Sequence, residues 1–409
     1  MEQIYLVMLV VLGILAITDL VVGVSNDAVN FLNSAIGSKA VSFRTIMIVA
    51  SLGVLVGALF SSGMMEIARS GIFIPAMFSF NDVMIIFLAV MIADIILLDF
   101  YNSFGMPTST TVSIIFELLG AAFCLALYKI YISGDSFNTV GNYINTEKAT
   151  QIVSSILLSV ILSFTLGSIV QYISRLIFTF QYEKRMKYIG SVFGGFAITA
   201  ISFFILIKGL KGVSFINDNT HLWIKENQFL IIGGNFVFFT LLSQVLMTFF
   251  KVNILRVIIV IGTFALALAF AGNDLVNFIG VPIAAFNSYQ IFSGSGVSGD
   301  VFMMGGLANE NIVAPFYFLV FAGVVMVVTI WTSKKAKNVI ETEVNLSRQD
   351  EGSERFSSNA LSKSVVRSSV YIGQWLNYIL PKAIQIRIDK QFEKPELKGK
   401  KKKEEPAFD

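Results

Sequence analysis

Long apolar runs constrain the fold of this chain more than any motif does. About nine segments are long enough to cross roughly 30 Å of hydrocarbon as helix, and they are Ile4–Val22, Thr45–Met65, Val83–Phe100, Pro107–Leu127, Ile152–Ile173, Ile189–Ile207, Phe229–Phe250, Leu255–Val281 and Ile312–Trp331. The chain is 55% hydrophobic and only 14% charged, and a soluble domain could not cover that much apolar surface. We therefore expect an all-α integral membrane protein.

A short polar motif occurs twice inside these apolar segments. The sequence N-D-x-x-N lies within residues 24–30 and again within residues 271–277. A carboxylate and two carboxamides are costly to place in hydrocarbon, so the motif indicates a polar ligand rather than packing. Its duplication predicts a two-fold internal repeat with broken helices around a site near the middle of the membrane.

The basic residues near the ends of the segments predict the orientation of the chain. Lys and Arg cluster at residues 175–187, 251–256 and 334–337, whereas residues 282–311 contain neither. Because basic loops favour the cytoplasm, we expect a multi-pass protein of the cytoplasmic membrane with its N-terminus outside and residues 333–409 inside. The two motifs then run in opposite directions, as in an inverted repeat.

Six acidic residues lie in or beside the apolar segments, and no Lys or Arg lies well inside a segment to neutralise them. They are Asp19, Asp27, Asp94, Asp99, Glu117 and Asp274. Carboxylates at such depth need a proton, a hydrated cavity or a cation from solution, which indicates a coupling ion such as sodium or a proton.

These acids differ in what their positions predict. Asp27 and Asp274 stand beside Asn side chains, whose oxygens join a carboxylate in the ligand sets of hard cations. Asp19 and Asp99 lie near segment ends, where exposure at the membrane interface is expected. The sequence leaves Asp94 and Glu117 open.

An anion site is predicted where residues 107–111, Pro-Thr-Ser-Thr-Thr, open an apolar segment. Proline suits a first helical turn, and free backbone N–H groups and hydroxyls there attract phosphate-like ions. Plain capping of the helix is the alternative. Nearby carboxylates favour hydrogen phosphate over sulfate, because hydrogen phosphate can donate a proton to them.

Taken together, the N-D-x-x-N motifs and the Pro-Thr-Ser-Thr-Thr segment resemble the inorganic phosphate transporter (PiT) family. Its signature is G-A-N-D-x-A-N with a later P-x-S-T-T in each repeat. The resemblance implies a secondary active transporter that moves inorganic phosphate with sodium or a proton, has no other cofactor and forms a homodimer. It implies phosphate contacts at Ser109, Thr110, Thr111, Asn26 and Asn273, and sodium contacts at Asp27, Asn30, Asp274 and Asn277.

The chain also departs from the family pattern. Val24 and Ser25 replace Gly-Ala, and Val112 stands where a histidine often follows S-T-T. The second repeat lacks its own P-x-S-T-T, and Ser357 occupies the corresponding place. We therefore expect an incomplete second repeat, either in a fragment or in a form that another chain completes.

The apolar segments and motifs divide the chain into three regions. Residues 1–173 form the first membrane repeat, residues 174–332 hold connecting spans and the start of the inverted second repeat, and residues 333–409 form a cytoplasmic linker. Within the linker, residues 361–388 show an amphipathic basic pattern that suits a helix at the lipid surface, with a solvated linker as the alternative. The lysines of residues 398–403 favour anionic lipid.

Other classes of function have less support. An enzyme is not expected, because the single histidine leaves no base for a hydrolase nucleophile at membrane depth. The small net charge of +3 gives no support for nucleic-acid binding. A cation channel, a transporter of another small oxyanion such as sulfate and a scaffold with polar contacts between helices remain alternatives.

Overall fold

The computed structural model describes residues 2–61, 71–178, 182–206, 218–308, 315–346 and 357–392. Its helices are α1 Glu2–Asp27, α2 Val29–Ser38, α3 Phe43–Leu59, α4 Phe80–Ser103, α5 Thr110–Ser133, α6 Thr146–Phe178, α7 Tyr182–Phe204, α8 Asp218–Glu226, α9 Gln228–Thr248, α10 Ile254–Ser293, α11 Phe316–Thr332, α12 Lys334–Leu346, α13 Ala360–Ile379 and α14 Lys382–Phe392. Short 3₁₀ helices at Pro75–Met77, Phe137–Asn142 and Met304–Ala308 complete the described secondary structure.

The expected all-α membrane fold is confirmed. Seven described helical segments are long and apolar enough to span a membrane, and α11 with α12 forms a further pair bent by 66°. The first span is longer than expected because α1 and α2 are separated only by Ala28 and together cover 36 residues. Helix α3, at 17 residues, is shorter than the segment predicted there.

Two apolar clusters form the core, and α1 and α10 contribute to both. One cluster joins the end of α1 to α2, α3, α10, α11 and α12. The other joins the start of α1 to α4, α5 and the end of α10. The polar end of α1 and the start of α5 therefore meet α10 at the centre of the packed region.

Helices α3 and α10 approach closely through small residues. A Cβ atom added to Gly53 would lie 2.6 Å from the Phe264 carbonyl oxygen, and one on Gly57 would overlap the carbonyl oxygen of Leu268. Small residues let helix backbones approach in membranes, where dispersion contacts replace the hydrophobic effect as the main attraction. This contact holds α10 in place beside the first part of the chain.

Helix α6, in contrast to α3 and α10, is largely exposed. None of its residues is buried, and large apolar side chains such as Leu157, Ile161 and Leu166 are exposed. Such a surface suits lipid. Helices α7 and α9 pack against each other, and α7 also reaches α10.

The region expected to be a cytoplasmic linker, residues 333–409, begins with a helix that packs against the core. Helix α12 buries Ala336 and Val339 against α2 and α1, because its apolar residues recur at helical spacing. Residues 361–388 fall on α13 and α14. The two helices are separated by Leu380 and Pro381, and both are largely exposed. Residues 347–356 and the lysines of residues 398–403 lie outside the described part of the chain.

Candidate functional site

A chain of hydrogen bonds connects the two N-D-x-x-N motifs through the start of α5. The Thr110 hydroxyl donates to Asp27 Oδ2 over 2.9 Å, and the Thr111 hydroxyl donates to Asp274 Oδ1 over 3.4 Å. Asn277 Nδ2 donates to the Thr111 hydroxyl over 2.9 Å and lies 3.4 Å from that of Thr110. Residues far apart in sequence thus form one polar cluster.

Both aspartates of the cluster are buried. Asp27 is 2% exposed and Asp274 is 7% exposed, and Thr110 is buried between them. Asn277 Nδ2 also donates to Asp274 Oδ1 over 3.2 Å. Within the described part of the chain both carboxyl groups are held by neutral donors, so in the ionised state their negative charge would favour an external cation.

Asn26 fixes the end of α1 to the segment before α5. Its Nδ2 donates to Asn102 Oδ1 over 2.8 Å and to the Met106 carbonyl oxygen over 3.0 Å. Its Oδ1 accepts from the Thr108 backbone N–H over 2.8 Å. Asn102 in turn donates to the Val22 carbonyl oxygen over 2.7 Å. Asn26 therefore acts here as a connector between elements.

The start of α5 points its first turn at the cluster. Ser109 is the N-cap, and its hydroxyl accepts from the Val112 backbone N–H over 3.3 Å. The unpaired N–H groups of the first helical turn carry partial positive charge, which attracts anions. Ser109 therefore caps the helix, which was the alternative to an anion site. The hydroxyls of Thr110 and Thr111, in contrast, face Asp27 and Asp274.

The structure leaves four expected site residues outside this hydrogen-bonded cluster, and one of them is Asn26, which is buried but bonds the segment before α5 instead. Asn30, Asn273 and Ser109 have exposed side chains, and within the described residues no hydrogen bond joins any of them to Asp27 or Asp274. The two motifs are therefore unequal. The first turns its leading Asn26 inward, whereas the second turns its last Asn277 inward.

Described ion pairs lie away from the cluster. Lys129 pairs with Asp82 over 2.6 Å, and Lys335 pairs with Asp99. Asp99 is half-exposed, as expected for an interfacial residue. Among the described residues, no group of three or more His, Cys, Asp or Glu side chains has an arrangement for a metal ion. Any cation at Asp27 and Asp274 would thus rely on hydroxyl and amide oxygens as well.

The expectation of interfacial exposure for Asp19 is wrong. Asp19 is completely buried. The reason is that α1 continues to Asp27, about two turns further, instead of ending where the apolar run weakens. Asn102 was also missed, although an Asn at the end of an apolar segment could have signalled a polar contact.

Comparisons with known proteins point to one family. Residues 23–343 match the Phosphate transporter family. A protein of Thermococcus kodakarensis whose provisional name is phosphate permease is 30% identical over 313 residues, covering 72% of this chain and 71% of its own length. A protein of Pyrococcus furiosus with the same provisional name is 27% identical over 315 residues, covering 73% and 67% of the two chains.

A solved structure shares the fold. It is titled "The sodium-dependent phosphate transporter", and it aligns with a TM-score of 0.59 and 20% identity over 82% of this chain and 78% of its own. The family match spans both motifs, the start of α5 and most of α12. The chain therefore belongs to the phosphate transporter family.

Proposed function

We propose that this chain carries inorganic phosphate across the cytoplasmic membrane together with sodium or a proton. The observation that supports this most is the cluster in which Asp27, Thr110, Asn277 and Asp274 meet at the start of a helix. Hydroxyls and helix N–H groups suit an oxyanion, and the two carboxylates suit a cation. Anion and cation then neutralise each other's charge, so binding either one favours the other.

For the roles of individual residues we keep those that the family resemblance implies. Thr110 and Thr111 would contact phosphate with Ser109, Asn26 and Asn273, while Asp27 and Asp274 would hold sodium with Asn30 and Asn277. The buried members would form the inner part of the proposed site. The exposed members would have to turn inward or line an access path when the ions bind.

Uptake into proteoliposomes tests this function. Purified protein should take up labelled phosphate with saturation kinetics. Uptake should be faster under an inward sodium gradient than under an equal gradient of choline. Asp27→Asn and Asp274→Asn should each weaken the sodium dependence, because each removes a charge from the cation site. Ionic current without saturable phosphate uptake would contradict the proposal and favour a channel.

Competition by sulfate tests the choice of anion. Sulfate lacks the acidic proton with which hydrogen phosphate can donate to a carboxylate. Excess sulfate should therefore leave phosphate uptake unchanged. Equal inhibition by sulfate and unlabelled phosphate would favour a transporter of broader specificity.

The orientation and assembly also remain proposals. We place the N-terminus outside and residues 333–409 inside, with lipid around the exposed apolar helices and a homodimer as the assembly. Crosslinking of the protein in native membranes should give a species of twice the mass of one chain, and a monomer alone would contradict the dimer.

A further inference from the structure

Three acidic side chains form a second cluster that the cation site described above does not use. Asp19 on α1 and Asp94 on α4 are completely buried, and Glu117 on α5 is partly buried. Ser113 Oγ lies 2.7 Å from Asp94 Oδ1 and 2.8 Å from Glu117 Oε1. Asp19 interacts electrostatically with both other acids. We call these four residues the acid cluster.

The two contacts of Ser113 require a proton on one of its acidic neighbours. A serine hydroxyl has one hydrogen, so it can donate to only one of two carboxyl oxygens. A carboxylate cannot donate in return. The second short contact is therefore a hydrogen bond only if Asp94 or Glu117 is protonated and donates to Ser113.

The remaining carboxyl oxygens of the cluster also lack a donor unless the cluster carries a proton. Both oxygens of Asp19, together with Asp94 Oδ2 and Glu117 Oε2, are buried and receive no hydrogen bond from a hydroxyl, amide or basic group of the described residues, and Asp94 lies within reach of the carboxyl groups of Asp19 and Glu117. Leaving even one ionised carboxyl group unpaired in such a place is strongly unfavourable. Protonation removes the charge and supplies a donor.

No described basic side chain is close enough to replace the proton. On α4, Asp82 and Asp99 lie at the two ends and are paired with Lys129 and Lys335. Among the described residues, the other charged side chain that interacts with Asp19 is Asp27 on its own helix, and Asp27, which Asp274 of α10 approaches, adds negative charge. The described acids also lack the arrangement expected for a metal ion.

We propose that Asp19, Asp94 and Glu117, bridged by Ser113, form a proton-binding site separate from the site at Asp27 and Asp274. The two sites share α1 and α5. Ser113 follows Thr110 by one turn of α5, and Asp19 precedes Asp27 by about two turns of α1. Given the proposed function, movement of these helices during transport would expose the acid cluster and let it gain or lose its proton.

Infrared spectroscopy of the purified full chain in lipid at neutral pH tests the site without transport. The wild type should show the C=O band of a protonated carboxyl group, and the band should shift in D₂O. The band should weaken in the Asp94→Asn, Glu117→Gln double variant and persist in Asp99→Asn, a control acid on the same helix. The same band in all three proteins would overturn the proposal. If the double variant fails to accumulate, absence of the band from the wild type overturns it too.

Proton movement in proteoliposomes gives a second measurement. A pH-sensitive dye trapped inside the vesicles, used together with labelled phosphate, measures the number of protons that enter with each phosphate ion under a sodium gradient. Fewer protons should enter with Glu117→Gln than with the wild type or Asp99→Asn. An unchanged proton count with sodium-driven uptake intact would overturn the proton site and leave the proposed function standing. Failure of wild-type uptake would instead overturn the proposed function, while the infrared band would still decide the proton site.

Discussion

Hydrogen bonds to neighbouring elements decide which copy of a repeated residue is buried. Asn26 is buried and hydrogen-bonded to Asn102, Met106 and Thr108, whereas its counterpart Asn273 in the second motif is exposed. Sequence spacing indicated that both motifs carry binding residues, but it treated them as equivalent. The difference depends on which neighbour each motif meets, and only packing between distant elements sets that.

The Thr110 hydroxyl should matter for phosphate because it connects Asp27 to the first turn of α5. Thr110→Val keeps the side-chain shape and removes a hydrogen bond to a charged group, which contributes about 1.5–3 kcal/mol. We expect the half-saturation concentration for phosphate to rise about tenfold to a hundredfold, measured as initial uptake rates in proteoliposomes. Thr165→Val, whose hydroxyl bonds only within α6, should be neutral. Equal kinetics for both variants would argue against a role for Thr110.

Asn102 should behave as a positioning residue. Asn102→Ala leaves the Val22 carbonyl oxygen without this donor and removes one acceptor of Asn26. Loss of buried partners costs about 1–3 kcal/mol, so the midpoint of thermal unfolding in detergent should fall. Asn142→Ala, at an exposed position, is the control and should leave the midpoint unchanged. No shift with Asn102→Ala would mean that these bonds do not hold α1 to α4.

Helices were predicted more successfully than their contacts. Apolar length located each span, because a helix must satisfy its own backbone groups in lipid. It did not reveal that α12 packs into the core or that α1 continues beyond Val22 to Asp27. Those features depend on side chains from other helices, which a run of apolar residues does not specify.

The contact between α3 and α10 should be sensitive to the size of Gly57. A methyl group there would overlap the Leu268 carbonyl oxygen. Gly57→Ala should therefore destabilise the protein by about 1–3 kcal/mol, despite the better helix propensity of Ala. Thermal unfolding should show this against Gly167→Ala on α6, where an added Cβ meets nothing within 4 Å. A smaller effect at Gly57 than at Gly167 would contradict the close approach.

At the scale of the whole molecule, the sequence indicates a repeat and the structure brings its two motifs to one place. Asp27 and Asp274 meet although α1 and α10 lie far apart along the chain. The sequence could suggest this meeting, because both motifs carry polar groups at membrane depth. It could not specify that the start of α5 would join them.

The orientation gives a prediction of its own. In a Cys124→Ser background, Gln3→Cys should react with a membrane-impermeant maleimide in intact cells, whereas Ser357→Cys should react only after the membrane is opened. Replacement of Cys124 is needed because its side chain is exposed. The reverse labelling pattern would place the tail outside and invalidate the orientation drawn from the basic residues.

The most direct test of the central claim is equilibrium binding of phosphate to the purified protein with sodium or with choline. If one site holds both ions, sodium should tighten phosphate binding, and phosphate should tighten sodium binding by the same factor. Asp27→Asn and Asp274→Asn should each abolish this mutual effect. Phosphate binding that is equal in sodium and choline, and unchanged in both variants, would contradict a shared site.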